Sequence, residues 1–502
     1  MELLNNLILG FENAVTLQNL LYCFVGVSVG TLIGVLPGMG PVATVAMLLP
    51  ITYSLDPSAA LIMLAGIYYG AQYGGSTTAV LVNIPGEAAA VVTCLDGHQM
   101  AKRGRAGAAL GIAAIGSFIA GCFATVLIAA FAPPLTQLAF EFGPAEYFSL
   151  MVLGLVSAVV LANGDLLKAI AMIFLGLLLG LVGTDINSGA MRYTFGVGEL
   201  MEGLDFVALS MGIYGFAEIM RNLEITQSRS LVPGKVGTVL PTKEDLKASA
   251  GPIARGTLLG SFLGILPGGG ALLSSFASYT LEKKLGGAHA KPAFGEGNIR
   301  GVAGPESANN AGAQTSFIPM LTLGIPSNAV MALMIGAMMI HNITPGPQVM
   351  NQDPGLFWGL IVSMWIGNLI LIILNLPLIG LWVQLLKVPY RWLYPAILCF
   401  CCIGVYSISN NVFQIWMTIG FGVLGYLFYK LDCEAAPLIL GFILGPMMEE
   451  HMRRALLLSR GDLTVFFTSP ISAVLLVIAA ILLLLVLLPA VKSGREKAFQ
   501  ED

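Results

Sequence analysis

Apolar residues run along this chain in long blocks, parted by short polar or Gly/Pro-rich stretches. The blocks lie near 18–36, 42–54, 59–96, 106–132, 146–163, 167–183 and 205–220. A polar stretch at 221–255 divides the chain. Further blocks follow near 256–281, 301–340, 356–385, 392–408, 412–429, 435–447 and 464–490. Many approach the roughly 20 apolar residues that a membrane-spanning helix needs. A β-barrel would show short strands of alternating polarity, so helices are predicted throughout. Blocks 59–96 and 301–340 are interrupted by polar residues in their middles.

One stretch occurs twice. Gly30-Thr31-Leu32-Ile33-Gly34-Val35-Leu36-Pro37-Gly38 returns as Gly260-Ser261-Phe262-Leu263-Gly264-Ile265-Leu266-Pro267-Gly268. A second pair follows at a slightly larger offset. Gly70-Ala71-Gln72 leads to Ile84-Pro85-Gly86-Glu87, and Gly312-Ala313-Gln314 leads to Ile325-Pro326-Ser327-Asn328. Two halves with matched Gly/Pro breaks in apolar sequence point to a transporter binding site.

Composition sharpens this picture. Of 502 residues, 56% are hydrophobic and 10% charged, where a soluble domain carries about 25% charged residues. The mean hydropathy is +0.84. The fold class is therefore an all-α polytopic membrane protein. The 60 Gly and 26 Pro mean broken and closely packed helices in an apolar chain, not disorder. The net charge of −4 and the lack of a basic face give nucleic-acid binding no support. Cys399 and Cys402 sit as C-x-x-C inside an apolar span, and all seven cysteines are expected to be small packing residues. His98, His289, His341 and His451 are scattered and are expected in loops. No metal site, no cofactor beyond a transported cation and no enzymatic activity are predicted. The start of the chain lacks the basic residues of a signal peptide and is kept as part of the protein.

Basic residues set the orientation. They cluster at Lys102–Arg105, through 221–255, at Lys283–Arg300, at Lys387–Arg391 and at Lys492–Lys497. The loop matching Lys102–Arg105 is 341–355, and that matching Lys283–Arg300 is 53–58. Neither contains Lys or Arg. Each basic loop thus faces a neutral counterpart, the charge signature of two inverted-topology repeats with broken or re-entrant helices near the membrane midplane. The first repeat is 1–222, a cytoplasmic linker 223–254, and the inverted second repeat 255–463. An extra helix and basic cytoplasmic tail complete the chain at 464–502. The N-terminus is expected outside and the C-terminus inside. Arg453, Arg454 and Arg460 fall on the outer side by this count, where an interfacial amphipathic helix at 447–460 is one reading. Glu449 and Glu450 offset two of these charges.

The breaks carry the candidate chemistry. New helices are predicted to begin near Pro85 and Pro326, since Pro is favoured at a helix start. Free N–H groups there favour anions. Two such starts supply about +1, enough for roughly one carboxylate. A di- or tricarboxylate needs more, and bound cations held by carbonyl, Ser, Thr and Asn oxygens are the natural source. Asn83, Pro85, Gly86, Asn310, Pro326, Ser327 and Asn328 are the substrate-binding candidates. Ser76, Thr77, Thr78, Asn309, Gln314 and Thr315 are the cation-binding candidates. Pro37, Gly38, Pro267 and Gly268 are read as tight turns framing the site. Adjacent buried amides at Asn309-Asn310 are costly unless satisfied. The lack of a G-x-x-x-x-G-K-[ST] string argues against an ATP-driven pump. Asp56, Asp96, Asp165, Asp185 and Asp353 fall at predicted loops or helix ends, which argues against an intramembrane aspartyl protease. A channel or uniporter, or a carrier of another small organic anion, is the alternative function.

With Leu36-Pro37-Gly38, Asn83-Ile84-Pro85-Gly86-Glu87, Glu306-Ser307-Ala308-Asn309-Asn310-Ala311 and Gly324-Ile325-Pro326 in view, the chain resembles the large membrane subunit (TctA) of tripartite tricarboxylate transporters. The resemblance covers nearly the whole chain. It implies a bacterial inner-membrane secondary transporter, sodium-driven, importing a carboxylate. It also implies two partners, a small membrane subunit of about four helices and a periplasmic solute-binding protein. The oligomeric state, including a homo-oligomer, stays open. The family pattern commonly has Ala at Ser307 and Gly at Ser327, so a different substrate preference is expected.

The charge asymmetry predicts that Lys102 and Lys283 face the cytoplasm and Asn351 the periplasm. Cysteines placed there test it. An impermeant thiol reagent added outside the cell should label position 351 alone. Labelling at 102 with protection at 351 would refute the inverted arrangement.

Overall fold

Two glycine-lined helix pairs, one in each half, hold the molecule together. The computed structural model describes residues 2–36, 40–161, 165–185, 188–224, 238–266, 270–286, 291–385 and 393–487. Pro37, Gly38, Pro267, Gly268, His289, 387–391 and the basic tail lie outside these.

In the first half α1 (Glu2–Ala14) is followed by α2 (Leu17–Val35), α3 (Pro41–Thr52) and α4 (Pro57–Val82). Gly26, Gly30 and Gly34 of α2 press on the Met63, Ile67 and Ala71 carbonyls of α4. A Cβ at these glycines would lie 2.3–2.4 Å from those oxygens. In the second half α10 (Lys243–Ile265) packs on α12 (Arg300–Thr315), with α11 (Gly270–Gly286) between them in sequence. Gly256, Gly260 and Gly264 of α10 press on the Gly304, Ala308 and Gly312 carbonyls, where a Cβ would lie 2.2–2.4 Å away. In lipid, helices associate through van der Waals packing at small residues, not through a hydrophobic drive. The same spacing of four residues, met by the same kind of backbone contact, serves both halves.

The remaining helices of the first half are α5 (88–102, with one wide π turn at Cys94–His98), α6 (Ala106–Phe140), α7 (Pro144–Leu161), α8 (Leu166–Gly180) and α9 (206–224). A two-residue hairpin pairs Gly183–Thr184 with Met191–Arg192. The second half continues with α13 (Phe317–Leu323), α14 (Ala329–Ile340), α15 (Val349–Gln352), α16 (Pro354–Asn375) and α17 (Ile379–Leu385). It ends with α18 (Leu393–Ser409), α19 (Val412–Lys430), α20 (Ala435–Leu458), α21 (Val465–Thr468) and α22 (Pro470–Leu487). Among the described residues four helices are long and apolar enough to cross a membrane: α2, α6, α16 and α19. Five shorter apolar helices, among them α3 and α14, accompany them. The chain is a multi-pass, all-α membrane protein.

Several boundaries differ from those expected. Helix α1 lies outside the apolar blocks, and it docks where Gly10 meets the backbone of Trp358 on α16. The block 256–281 is two helices parted by the second Leu-Pro-Gly stretch. Helix α10 starts at Lys243, inside the stretch read as a linker. Thr242 and Asp245 form a reciprocal capping box there, and Arg105 pairs with Asp245. Such caps start a helix without apolar sequence. Helix α20 runs on to Leu458, so 447–458 is not a separate interfacial helix. Its arginines are neutralised: Arg453 pairs with Glu449 and Asp185, Arg454 with Glu450, and Arg192 with Glu449.

The acidic residues also fall differently. Asp56, Asp165 and Asp353 are helix N-caps, as positions at helix ends. Asp96 is not in a loop. It is fully buried in the π turn of α5 and binds the other half of the chain. Its carboxylate accepts hydrogen bonds from the backbone N–H groups of Gly295, Gly297 and Asn298 (2.7–3.0 Å) and from the Tyr279 hydroxyl (3.0 Å). His98 is likewise buried in α5, its Nδ1 3.0 Å from the Val80 carbonyl oxygen.

Gly260→Val is expected to lower the melting temperature in detergent, since a Cβ there would lie 2.2 Å from the Ala308 carbonyl oxygen and overpacking a tight contact costs about 1–3 kcal/mol or more. Gly420→Ala, where a Cβ meets nothing within 4 Å, should leave the melting temperature in detergent unchanged or slightly higher. Equal stability of both variants would show that the glycine contacts are not what holds the halves.

Candidate functional site

Both interrupted helices break in the same way. Helix α4 ends at Asn83 in the left-handed region (φ 57°), and α13 ends at Gly324 (φ 70°). A Pro follows within two residues in each case. The restarts come later than expected, at Ala88 and Ala329 and not at Pro85 and Pro326. A helix is entered from an extended residue whose side chain caps the first N–H groups. Glu87 (φ −148°, ψ 164°) and Asn328 (φ −155°, ψ 175°) fill that role, so the prolines stay in the crossover. The Glu87 carboxylate accepts from Ala89 N, and Asn328 Oδ1 accepts from Met331 N at 3.0 Å.

A cavity of about 490 Å³ opens where these starts meet two others. Gly40–Val42 bring the start of α3, and Gly270–Leu272 the start of α11. Glu87–Ala89 bring the start of α5, and Asn328–Val330 that of α14. Each Leu-Pro-Gly stretch leads directly into one of these helices. Tyr68 and Gln72 of α4 complete one wall. Gly40 offers the α3 start no side-chain cap, so its N–H groups remain for a ligand. Arg221 of α9 and Glu434 also line the cavity. Arg221 lies over the Tyr429 ring, 4.6 Å from its centre, and its Nε makes no hydrogen bond.

Two buried carboxylates dominate the polar interior. Asn309 Nδ2 donates to Glu87 Oε1 at 2.9 Å. The Gln72 amide, in the orientation that satisfies both groups, donates to Glu87 Oε1 and Oε2 at 2.5 and 2.9 Å. Glu306 is fully buried. It accepts from Ser76 Oγ at 2.6 Å and from Thr93 Oγ1 at 2.5 Å. Among the described residues no Lys or Arg pairs with either carboxylate. Burying a carboxylate without a counter-charge is costly, which makes these two groups the candidates for ion or proton binding.

The predicted residues divide between cavity, carboxylates and scaffold. Asn328 reaches the cavity. Asn309 meets Glu87 and Gln72, both of which line it. Asn310 turns the other way and donates to Ser117 Oγ at 2.7 Å and to the Glu306 carbonyl. Thus Asn309, expected beside a cation, sits by the cavity, and Asn310, expected on substrate, does not. Ser76 holds Glu306. Gln314 Oε1 accepts from Thr125, while its Nε2 lacks a partner. Thr78 caps the Gly34 and Val35 carbonyls at the end of α2, and Thr315 bonds its own helix at Ala311. The close approach that Gly86 permits is to Gly34 and Gly75, not to a ligand. Ser327 donates to the Ser316 carbonyl and is buried. Asn83 is exposed. Pro85 and Pro326 shape the crossovers.

Sequence inspection passed over Glu87 and Glu306 as site residues, although both stand in the motifs. The signal was present: an acidic residue inside an apolar span is functional by default. Gln72, Ser117 and Thr93 carried no such signal.

The family described as tripartite tricarboxylate transporter TctA matches residues 20–440, most of the chain and both breaks. The chain belongs to that family. It is a component of a transporter that works with partner subunits. It is 58% identical to an "Uncharacterized 52.8 kDa protein in TAR-I ttuC' 3'region" of Agrobacterium vitis, over the full length of both. It is also 60% identical over 243 residues to an "Uncharacterized protein in TAR-II ttuC' 3'region" of the same organism, covering 48% of this chain and all of that one. No solved structure matches.

Replacing Asn309 by Ala takes a donor from Glu87, and Asn310→Ala does the same to Ser117. An unmade bond of this kind costs about 1–3 kcal/mol, which a protein of this size tolerates. Both variants are therefore expected to stay monodisperse in detergent while uptake falls to background. Normal uptake by both would sink the assignment of this turn of α12 to the site.

Proposed function

We propose that the chain is the permease of a cation-coupled importer of di- or tricarboxylates in the bacterial inner membrane, served by a small membrane subunit and a periplasmic binding protein. The observation that supports this best is the cavity on which four helix starts converge. Those starts contribute about +2 in all, and Arg221, whose charge is offset by its pair with Glu218 at 3.7 Å, adds a donor at Nε. Glu87 subtracts one when ionised. The balance suits a dicarboxylate, whose second charge is met only when cations or protons neutralise the buried carboxylates.

Orientation follows from charge. The cavity opens beside Arg221 and Glu434, on the side that also holds Lys430 and the segment leading into the basic stretch. By the positive-inside rule this is the cytoplasm. A second cavity of about 1020 Å³, lined by Arg192, Arg453, Arg454 and Arg460, lies at the opposite end of α20. It then faces the periplasm, where substrate arrives. The two halves carry like glycine pairs and like breaks, which favours inverted repeats working around a shared site. The N-terminus lies outside and the C-terminus inside on this arrangement.

The test is uptake into vesicles holding the chain with its partners, varying cation and carboxylate independently. Substrate and cation should each lower the other's half-saturating concentration in uptake, and in binding measurements each should lower the other's dissociation constant by the same factor. Each uncompensated positive charge moved inward gains about 2.3 kcal/mol per 100 mV, so uptake of a divalent anion with more than two cations should be stimulated by an interior-negative potential. Arg221→Gln should raise the half-saturating carboxylate concentration about tenfold, equivalent to about 1.4 kcal/mol. Uptake independent of every monovalent cation and of pH would make the chain a uniporter or channel.

A further inference from the structure

Apart from the large cavity, a small void lies on the far side of Ser76. Its volume is about 10 Å³, the threshold at which a single water-sized body fits. Oxygen-bearing side chains from three helices reach it: Tyr73, Ser76 and Thr77 of α4, Ser117 of α6 and Asn375 of α16. Leu110, Ala113 and Ala114 of α6 and Ile379 of α17 close the rest.

Three features make the void more than a packing defect. Its charge comes from Glu306, whose Oε2 takes the Ser76 hydroxyl at 2.6 Å and which has no cationic partner among the described residues. Asn375 is 4% exposed. Its Nδ2 is spent on the Leu371 carbonyl at 3.0 Å, which leaves Oδ1 without a partner. Asn310, which donates to Ser117, likewise keeps a buried Oδ1 with no partner. Buried polar oxygens are almost always satisfied. Here one acceptor, on Asn375, is left over at the space itself, and a second, on Asn310, stands behind Ser117 as the Glu306 carboxylate stands behind Ser76. A proton on Glu306 would need no space and would satisfy neither amide oxygen. A small hard cation satisfies carboxylate, hydroxyl and amide oxygens together.

We propose that this void is the seat of one dehydrated sodium ion, charge-balanced by Glu306 and coordinated from Ser76, Ser117 and Asn375. The proposal rests on the cation-coupled function above and gives it a place. It also gives the coupling a route. One turn of α12 carries Glu306 and Asn310, which bond the void-lining hydroxyls of Ser76 and Ser117, and Asn309, which bonds Glu87 on the cavity. Filling the void orders the turn that presents Asn309 to the cavity, so ion and carboxylate assist each other without touching.

The experiment measures the melting temperature of the full-length chain in detergent. Sodium, lithium, potassium or choline chloride is titrated at constant ionic strength and at two pH values. Uptake in vesicles is followed in parallel. The wild type should gain stability saturably with sodium and not with potassium or choline. Glu306→Gln, close in shape, should abolish the gain. Asn375→Ala, which removes the unpartnered oxygen, should raise the half-effective sodium concentration about tenfold with little change in choline. A saturable sodium effect untouched in both variants would place the ion elsewhere and overturn the proposal, leaving cation-coupled import standing. A response to pH with none to sodium would also overturn it, with water in the void and a proton on Glu306. Uptake indifferent to cations and pH alike would overturn the proposal and the import function together.

Discussion

A charge at membrane depth must be balanced by something close to it, and this protein supplies almost no basic side chains there. That constraint governs how its polar interior is built. Negative charge is met by hydroxyls, amides and helix starts. Glu87 lies against the opening N–H groups of α5 and under the amides of Gln72 and Asn309. Glu306 lies under the hydroxyls of Ser76 and Thr93. Each carboxylate is thereby solvated by dipoles but left without a full positive neighbour.

The glycine contacts make that interior possible. A helix break exposes unpaired N–H and C=O groups, which lipid cannot solvate. They survive only where protein closes around them. Gly34 and Gly264 let α2 and α10 come backbone to backbone with the helices that break. Thr78 and Ser316 then reach the carbonyls at Gly34 and Gly264. The pairs are therefore both the scaffold of each half and the shelter for its break. Gly86, fitted against Gly34 and Gly75, belongs to the same shelter.

Most of the architecture was legible because membrane helices announce themselves by length and polarity, and because Leu-Pro-Gly and Ile-Pro occur in matched places. Boundaries failed where a local cap overrode the apolar pattern, as Thr242 and Asp245 did at α10. At the site, the two breaks were legible as a pair, but the direction of each side chain was not. Asn309 and Asn310 are neighbours in sequence, yet about 100° apart around the helix, at 3.6 residues per turn. They consequently face different partners. Periodicity could have separated them only with knowledge of which helix lay on which face. The acidic residues were visible and misjudged: Glu87 looked like part of a turn and Glu306 like part of a motif.

Asp96 has a mechanical meaning. Its carboxylate gathers three backbone N–H groups and a hydroxyl from 279–298, and so ties α5 of one half to the entry of α12 in the other. Hydrogen bonds to a buried charge are among the stronger ones a protein makes. Wholesale sliding of one half past the other would have to give up all four at once. With Asn309 on Glu87, and Ser76 and Thr93 on Glu306, the knot at Asp96 acts as one of several rivets that fasten the two halves along a single seam, and the broken helix ends lie on that seam.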